Sequence, residues 1–379
     1  MKRTILAAGF ALGLVGGAEA QPGLTAADKP SCAPRVGELN FVCGVVDPED
    51  LARIPGSRWI IASGYDPGGG LLAGSGLNLV DSDAKTFTSF YTGVSAQQRP
   101  DRKRYPLCGD APDPQKLVTH GLYLHPGLGT GNYTLYAVTH SPRETIEIFT
   151  VNTGGATPAL SWNGCVPMPA PLKGNGVVAF ADGTILATVL GVPGKTTAAG
   201  LSAGAVLQWK PGDAAFQFLP GTDLAGDNGI EISKDEREFY VIGFGDATVS
   251  AFSRADSSNP LRSVKAPGFV PDNLRWSGDL LIGTGPMYDE PACGGTRAQS
   301  AQMGTFVRRP GGGCNRGYIA AALDPATMQW KILAYGEPNP QIGIISTGMV
   351  IGDTLWIGAA LTPGLAYRAL PGAKSSEPK

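Results

Sequence analysis

The sequence predicts an all-β fold, a six-bladed β-propeller with four-stranded blades and a ring closed by strands from both chain ends. Six times a turn leads into a short apolar strand that ends in small residues. Further strand-like runs precede and follow each of these strands, and helical periodicity is weak throughout. The six central strands are "GSRWIIASG" (56–64), "NYTLYAVTH" (132–140), "DGTILATVL" (182–190), "EREFYVIGFG" (236–245), "SGDLLIGTG" (277–285) and "GDTLWIGAA" (352–360).

Each central strand has a strand before it and another after it, which together make three strands of a blade. The preceding strands are "EDLARI", "HGLYLH", "NGVVAF", "NGIEIS", "DNLRWS" and "TGMVIG". The last unit supplies strands only to about residue 370, so its outer strand must come from elsewhere. The segment "GELNFVC" (37–43) can supply it, which would remove an exposed sheet edge.

The chain is expected to contain one folded domain behind a leader. Lys2 and Arg3, an apolar stretch and "AEA" before Gln21 are typical of a signal peptide over residues 1–20, cleaved near Ala20–Gln21. Residues 21–370 form the predicted propeller, and the polar segment 371–379 is expected to be a disordered tail. The protein is therefore expected in the periplasm or outside the cell.

Six cysteines in an exported chain indicate disulfide bonds, although 15 pairings are possible. Sequence proximity favours three pairs and leaves the connectivity open. None of the cysteines has the C-x-x-C spacing that zinc sites use. The favoured pairs are Cys32–Cys43, Cys108–Cys165 and Cys293–Cys314.

Composition excludes several classes of partner. With 30 basic and 32 acidic residues the net charge is −2, which gives no electrostatic footprint for nucleic acid. No segment after the leader is apolar and long enough to span a membrane. No G-x-S-x-G motif marks a serine hydrolase, and the "GGG" runs precede no helix that could bind phosphate. A small molecule is the expected partner, and the oligomeric state stays open.

Polar residues recur at the start of the first strand of every unit. In a propeller these strands line the central channel, so their starting residues should converge at one mouth of that channel. Carboxylate and amide oxygens there would suit Ca²⁺ best, with other divalent cations as alternatives. The residues are Glu49–Asp50, His120, Asn175, Asn228, Asp272–Asn273 and Ser346–Thr347. For an Asn or Asp before Gly, an ordinary turn residue is the competing interpretation, and for a lone His it is a satisfied structural residue.

Two of the three histidines are predicted to meet at the same mouth. His120 starts the first strand of the second unit, and His140 ends the next, antiparallel strand. A neutral imidazole near pH 7 suits general-base chemistry. The third histidine, His125, precedes "PG" and is expected to be structural.

These segments resemble the calcium-dependent six-bladed propellers of the paraoxonase/arylesterase and gluconolactonase (senescence marker protein) superfamily, over roughly residues 40–365. "DPEDLARIPGSRWIIASG" resembles the arylesterase segment whose Glu-Asp pair binds two calcium ions. This implies a catalytic-calcium role for Glu49 and a structural-calcium role for Asp50. "HGLYLHPG" and "LYAVTHSPRETIEIF" resemble the segments of the arylesterase histidine dyad, which implies His120 and His140.

The resemblance also implies the remaining calcium ligands. "GNGVVAFADGTILAT" supplies Asn175, with Gly176 where the family usually has Asp, so a second calcium stays open. "DNGIEISKDEREFYV" supplies Asn228, and "PDNLRWSGDLLIG" supplies Asp272 and Asn273.

The resemblance implies a Ca²⁺-dependent hydrolase of a lactone or an aryl or carboxylic ester, in which the cation polarises the carbonyl. Either His120, oriented by His140, or Asp272 would activate water. Two alternatives stay open: a non-catalytic exported ligand-binding propeller with structural calcium, and another metal-assisted reaction such as isomerisation or hydration. Substrate choice is expected to lie in the long loops 93–116 and 286–317 around the mouth.

Overall fold

The computed structural model describes residues 31–65, 76–126, 131–287 and 316–372. These residues form six antiparallel sheets, five with four strands and one with five. The predicted six-bladed propeller of four-stranded blades is therefore confirmed. Within the described residues, helical structure is limited to two three-residue 3-10 helices, Ser95–Gln97 and Phe244–Asp246.

Strand bounds follow the order of the chain, beginning with β1 (Arg35–Val36) and β2 (Leu39–Cys43). Blade 1 contains β3 (Leu51–Arg53), β4 (Trp59–Ala62), β5 (Asn78–Asp81) and β6 (Thr86–Ser89). Blade 2 contains β7 (Val118–Pro126), β8 (Asn132–Ser141), β9 (Thr145–Asn152) and β10 (Ala159–Pro167). Blade 3 contains β11 (Val177–Ala179), β12 (Ile185–Val189), β13 (Ala205–Trp209) and β14 (Gln217–Phe218).

The remaining blades continue the same pattern. Blade 4 contains β15 (Asp227–Ile232), β16 (Glu238–Gly243), β17 (Thr248–Ser253) and β18 (Arg262–Lys265). Blade 5 contains β19 (Asn273–Ser277), β20 (Leu280–Pro286), β21 (Tyr318–Asp324) and β22 (Gln329–Gly336). Blade 6 takes β23 (Ile344–Ile351), β24 (Thr354–Ala360) and β25 (Gly364–Ala369) from the C-terminal part of the chain.

Burial changes from the centre of the ring outwards. The first strands of neighbouring blades contact one another around the ring, so β3, β7, β11, β15, β19 and β23 are innermost. Every residue of β11 and β15 is buried, whereas the outermost strands β6, β14 and β18 alternate or face solvent. This gradient explains why the inner strands of each blade are apolar, because their side chains pack against the neighbouring blades on both faces of the sheet.

The two chain ends close the ring within blade 6. Strand β2 pairs antiparallel with β25, from Asn40 opposite Tyr367 to Cys43 opposite Gly364, and β1 adds to its outer edge. The Cys32–Cys43 disulfide holds this N-terminal segment in place. The predicted closure by "GELNFVC" is confirmed, and it removes the free edge that β25 would otherwise expose.

A second disulfide, Cys108–Cys165, joins the long loop between blades 1 and 2 to β10. Arg99 N donates to Trp162 O at 2.8 Å and Asp101 N to Asn163 O at 2.7 Å. The middle of loop 93–116 thus runs along the outermost strand of blade 2 rather than over the innermost strands. The disulfide and these hydrogen bonds hold this loop against β10, at the outer edge of blade 2.

Several sequence predictions fall outside the described residues. They concern the signal peptide, the third cysteine pair Cys293–Cys314, most of the loop 286–317 and the end of the tail. Among the residues that are described, no helix is long and apolar enough to cross a membrane. Two disulfides in the structure indicate an oxidising compartment.

Candidate functional site

Glu49 is the residue around which the predicted site assembles. It lies two residues before the start of β3 and is 3% exposed. Its Oε1 accepts a hydrogen bond from Asn273 Nδ2 at 2.9 Å, and its Oε2 lies 3.6 Å from His120 Nε2. Its backbone carbonyl accepts from Ser346 Oγ at 2.5 Å. Glu49 of blade 1 therefore contacts the corresponding positions of blades 2, 5 and 6.

Backbone contacts complete the ring through blades 2 to 5. Gly121 N donates to Asn175 O at 3.1 Å, and Gly229 N donates to Asp272 O at 2.9 Å. A Cβ built on Gly176 would lie 3.0 Å from Asn228 O, so blades 3 and 4 are equally close. The structure thus brings together the six predicted polar positions at one mouth of the channel.

The glycines that follow these polar residues serve close packing. A Cβ on Gly121 would lie 2.3 Å from Asn175 O, and one on Gly229 would lie 2.4 Å from Asp272 O. Neither glycine has a positive φ. The competing interpretation of Asn228 as an ordinary turn residue is therefore wrong, because Asn228 lies in β15 and the missing side chain of Gly229 is needed where inner strands of adjacent blades meet.

Irregular strand pairing directs the polar side chains. The register of β7 with β8 shifts at His120–Gly121, and that of β15 with β16 shifts at Asn228–Gly229. The β23–β24 register shifts at Ser346. A β-bulge re-aims a side chain that regular alternation would direct elsewhere, and bulges are common beside functional sites.

The electrostatics of Asp272 and Glu49 disfavour two ionised carboxyl groups at this mouth. Burial raises the pKa of Asp272 well above its ordinary value, and the negative charge of Glu49 raises it further. A hydrogen bond from the Asn228 side chain lowers the pKa only in part. Two acidic groups this close and this buried disfavour their ionised forms unless a cation or a proton intervenes.

Two oxygens of the same cluster are unsatisfied. Glu49 Oε2 and Asn228 Oδ1 are buried and make no hydrogen bond within the described part of the chain. Buried oxygens are rarely left unpaired, because each loses its hydration without compensation. Together with the carboxyl of Asp272 they are hard oxygen donors of the kind that Ca²⁺ prefers. The donor set thus fits a divalent cation.

The predicted ligands do not all contribute in the same way. Asn273 uses its amide nitrogen to hold Glu49 Oε1, which leaves Oε2 as the unsatisfied oxygen. Asn175 is half-buried, and its backbone bonds connect it to Gly121 and Thr188. Its place in the ring is the predicted one.

Asp50 does not fit a second cation, because a guanidinium already neutralises it. Arg275 forms a buried ion pair with Asp50 Oδ2, and Leu122 N donates to the same oxygen at 2.7 Å. Arg275 also donates to Leu51 O at 2.8 Å and lies 3.8 Å from Glu231 Oε2. Burial raises the pKa of Asp50 to about 6, although Arg275 opposes this shift. The structural-calcium role that resemblance implied for Asp50 is therefore not supported.

The two histidines meet as predicted. His120 Nδ1 lies 3.0 Å from His140 Nε2, and the His120 ring stacks on Tyr65 with 4.0 Å between ring centroids and an interplanar angle of 7°. Burial lowers the pKa of His140, while its hydrogen bond to Glu144 raises it. His120 Nε2 faces Glu49, so the pair adjoins the candidate cation site. His125 lies elsewhere and pairs with Glu236 at 3.0 Å.

Sequence reasoning missed Glu144, which contacts the far side of the histidine pair. Its Oε1 and Oε2 lie 2.9 and 3.0 Å from His140 Nδ1. A signal was present, because Glu144 follows His140 by four residues across a turn and so must return to the same end of blade 2. Arg275 was also missed, since nothing in the run "NLRWS" indicates a partner in blade 1.

A cluster of Cys108, Glu147 and Cys165 has the spacing of a metal site but not the chemistry. The two cysteines form a disulfide, so neither offers a thiolate. Glu147 accepts from Trp162 Nε1 at 2.7 Å, Thr145 Oγ1 at 2.8 Å and Arg143 Nε at 2.9 Å. The cluster is thus a satisfied structural network.

No family model matches the sequence, and no curated protein matches it. Among solved structures the chain is similar to a luciferin-regenerating enzyme, with TM-score 0.48 and 12% identity over 88% of this chain and 95% of that chain. It is similar to a candidate gluconolactonase, with TM-score 0.48 and 14% identity over 88% and 92%. It is also similar to a candidate 6-phosphogluconolactonase from Bacteroides fragilis, with TM-score 0.41 and 13% identity over 83% and 77%. No function of this chain follows from similarity at this level.

Proposed function

We propose that this chain is a Ca²⁺-dependent hydrolase of a lactone or an aryl or carboxylic ester, exported to the periplasm or the cell exterior. The observation that carries the proposal is the pair of buried acids, Glu49 and Asp272, beside a histidine pair. Glu49 Oε2 has no hydrogen-bond partner among the described residues, and His120 Nε2 lies 3.6 Å from it.

The residues proposed to hold the cation are Glu49, Asn175, Asn228, Asp272 and Asn273. A bound divalent cation would supply charge that polarises the scissile carbonyl and stabilises the oxyanion formed on attack. Asn273 keeps the Glu49 carboxylate in position through its 2.9 Å hydrogen bond.

Two groups of this chain can accept the proton of an attacking water. His120 presents Nε2 at the mouth, and the Tyr65 ring and His140 fix its orientation. Asp272 is the second, because its buried carboxylate lies at the same mouth and would act on a water beside the cation. A His120→Gln variant separates them: loss of turnover with retained calcium binding assigns the base to His120.

The function is tested by hydrolysis of a panel of lactones and aryl acetates with the purified mature chain. Turnover is expected with calcium, is lost after chelation, and returns when calcium is restored. Asp272→Asn should abolish it, whereas Asp279→Asn, in the exposed turn at the opposite end of blade 5, should leave it unchanged. Tight calcium binding with no turnover on any substrate would contradict the hydrolase and favour an exported binding protein.

A further inference from the structure

Glu144 lies in the short turn between β8 and β9 and is held from several sides. Its carboxylate accepts from His140 Nδ1 and from Gly174 N at 2.9 Å. Its backbone carbonyl accepts from Met168 N at 3.0 Å. The side chain is only 22% exposed, which is low for an acidic residue in a short turn.

The hydrogen-bond partners determine where the protons of the two imidazoles lie. An ionised carboxylate only accepts, so His140 Nδ1 must carry hydrogen and its neutral ring must accept at Nε2. His140 Nε2 faces His120 Nδ1 at 3.0 Å, so His120 must donate from Nδ1. Neutral His120 is then unprotonated at Nε2, the nitrogen that faces Glu49.

We propose that Glu144 is a positioning residue that acts through His140 to keep His120 in the tautomer with a free Nε2 at the channel mouth. The inference rests on the proposed function for its catalytic meaning, because a free Nε2 is what a general base requires. When water gives its proton to His120 Nε2, the Nδ1 hydrogen can pass to His140 Nε2. The resulting charge on His140 then lies beside the Glu144 carboxylate, which stabilises it.

A purely structural role for Glu144 would give a different experimental result. The hydrogen bond from Gly174 N places Glu144 next to Asn175, one of the proposed cation ligands. If Glu144 only anchored this segment, its removal would weaken calcium binding and leave the histidine tautomers unchanged. Calcium affinity and tautomer state therefore distinguish the two roles.

The experiment compares the wild-type chain, Glu144→Ala and Glu144→Gln at one pH at which the histidines are neutral. Nitrogen-15 histidine spectra report the protonated nitrogen of each ring, and a His125→Gln variant removes the signals of the third histidine. Wild-type His120 and His140 are expected in the Nδ1–H form, and Glu144→Ala is expected to lose this form at His140. Its kcat should fall about 100-fold with KM and calcium affinity within about twofold.

Glu236→Ala is the matched control, because Glu236 holds His125 in a similar pair outside the site. It should change neither kcat nor the spectra of the other two histidines. Unchanged tautomers in Glu144→Ala, or a loss of calcium affinity that accounts for the fall in kcat, would overturn the proposal. If the wild-type chain hydrolyses nothing, the proposed function fails, while the spectra still decide whether Glu144 sets the tautomers.

Discussion

Asn273 Nδ2 donates a hydrogen bond to Glu49 Oε1 across 224 residues of sequence. The bond joins blade 5 to blade 1 and determines which oxygen of Glu49 is left for a cation. Because Oε1 is satisfied and Oε2 is not, the carboxylate has one unsatisfied, buried acceptor that faces His120 rather than two equivalent ones. The amide of Asn273 therefore fixes the orientation of the Glu49 carboxylate, a role that the sequence alone did not assign to it.

Asp272→Asn is expected to have opposite effects on the stability of the calcium-free and calcium-bound protein. In chelator at neutral pH, the variant should be more stable than wild type, because it removes a buried acid whose pKa is raised by burial and by the charge of Glu49. Wild type should gain about 2.7 kcal/mol when free calcium is 100-fold above its Kd, and the variant should not. Thermal unfolding with and without calcium measures both effects.

Asp279→Asn provides the control, since Asp279 is exposed and pairs with Lys234. It should behave as wild type in both conditions. An Asp272→Asn variant that is less stable than wild type in chelator would show that the hydrogen bond from Asn228 outweighs the cost of burying the acid.

Gly229→Ala should disrupt the contact between blades 4 and 5 at the mouth. The added Cβ would lie 2.4 Å from Asp272 O and 2.7 Å from Asn273 Cα, both backbone atoms that cannot rotate away. The expected loss of stability is about 2 kcal/mol. Calcium affinity should fall as well, because Asp272 and Asn273 must move. Urea unfolding and calcium titration measure the two effects.

The corresponding control is Gly155→Ala, in an exposed turn where the nearest atom to the new Cβ is 3.4 Å away. That variant should retain wild-type stability within about 0.5 kcal/mol. Equal effects of the two substitutions would argue against tight packing of the inner strands at Gly229.

The sequence allowed the blades and the phase of the polar residues to be predicted because the same signal occurs six times. This signal consists of a turn, an apolar strand and a polar first residue. It predicts where Glu49, His120, Asn228 and Asp272 lie within their own blades. The symmetry of a propeller then brings them together. What could not be predicted was pairing between blades: Arg275 interrupts an apolar strand, and its contact with Asp50 spans 225 residues.

Local irregularity also escaped prediction. The loop 93–116 has no periodicity, so its path along β10 depends on the Cys108–Cys165 disulfide and on backbone hydrogen bonds. Glu144 was closer to being predictable, since its contact with His140 is made within one turn. An acidic residue in a short turn is ordinarily exposed to solvent, and only the burial of this turn against Gly174 and Met168 reveals otherwise.

Removal of the Cys108–Cys165 disulfide should cost more stability than removal of Cys32–Cys43. The two bonds close segments with sequence separations of 57 and 11 residues. The chain-entropy relation gives about 4 kcal/mol for the longer loop and about 3 kcal/mol for the shorter. Paired Cys→Ser variants compared by urea unfolding without reductant measure the difference. A larger loss for the Cys32–Cys43 pair would show that ring closure depends on that bond more than on β2 pairing.

Glu231→Gln should weaken the decline of stability with rising pH. Burial raises the pKa of Glu231 from 4.5 to about 7, against the attraction of Arg275. Between pH 4.5 and about pH 7, Glu231 keeps its proton in the folded chain but has lost it in the unfolded chain. The free energy of unfolding therefore falls as the pH rises through this window, and Glu231 adds no pH dependence outside it. The wild-type loss attributable to this group is about 3 kcal/mol.

Urea unfolding at about pH 4 and pH 8, in chelator, tests this expectation. The difference in unfolding free energy between variant and wild type should shift in favour of the variant by up to about 3 kcal/mol at the higher pH. The pKa of Asp50 is also raised, but Asp50 is present in both proteins. Its contribution to the pH dependence therefore cancels in the comparison, unless the substitution changes the Asp50 pKa through Arg275. Glu337→Gln, on the exposed surface, should show no such shift. A shift in favour of wild type would mean that the Arg275–Glu231 attraction outweighs the cost of burying the carboxylate.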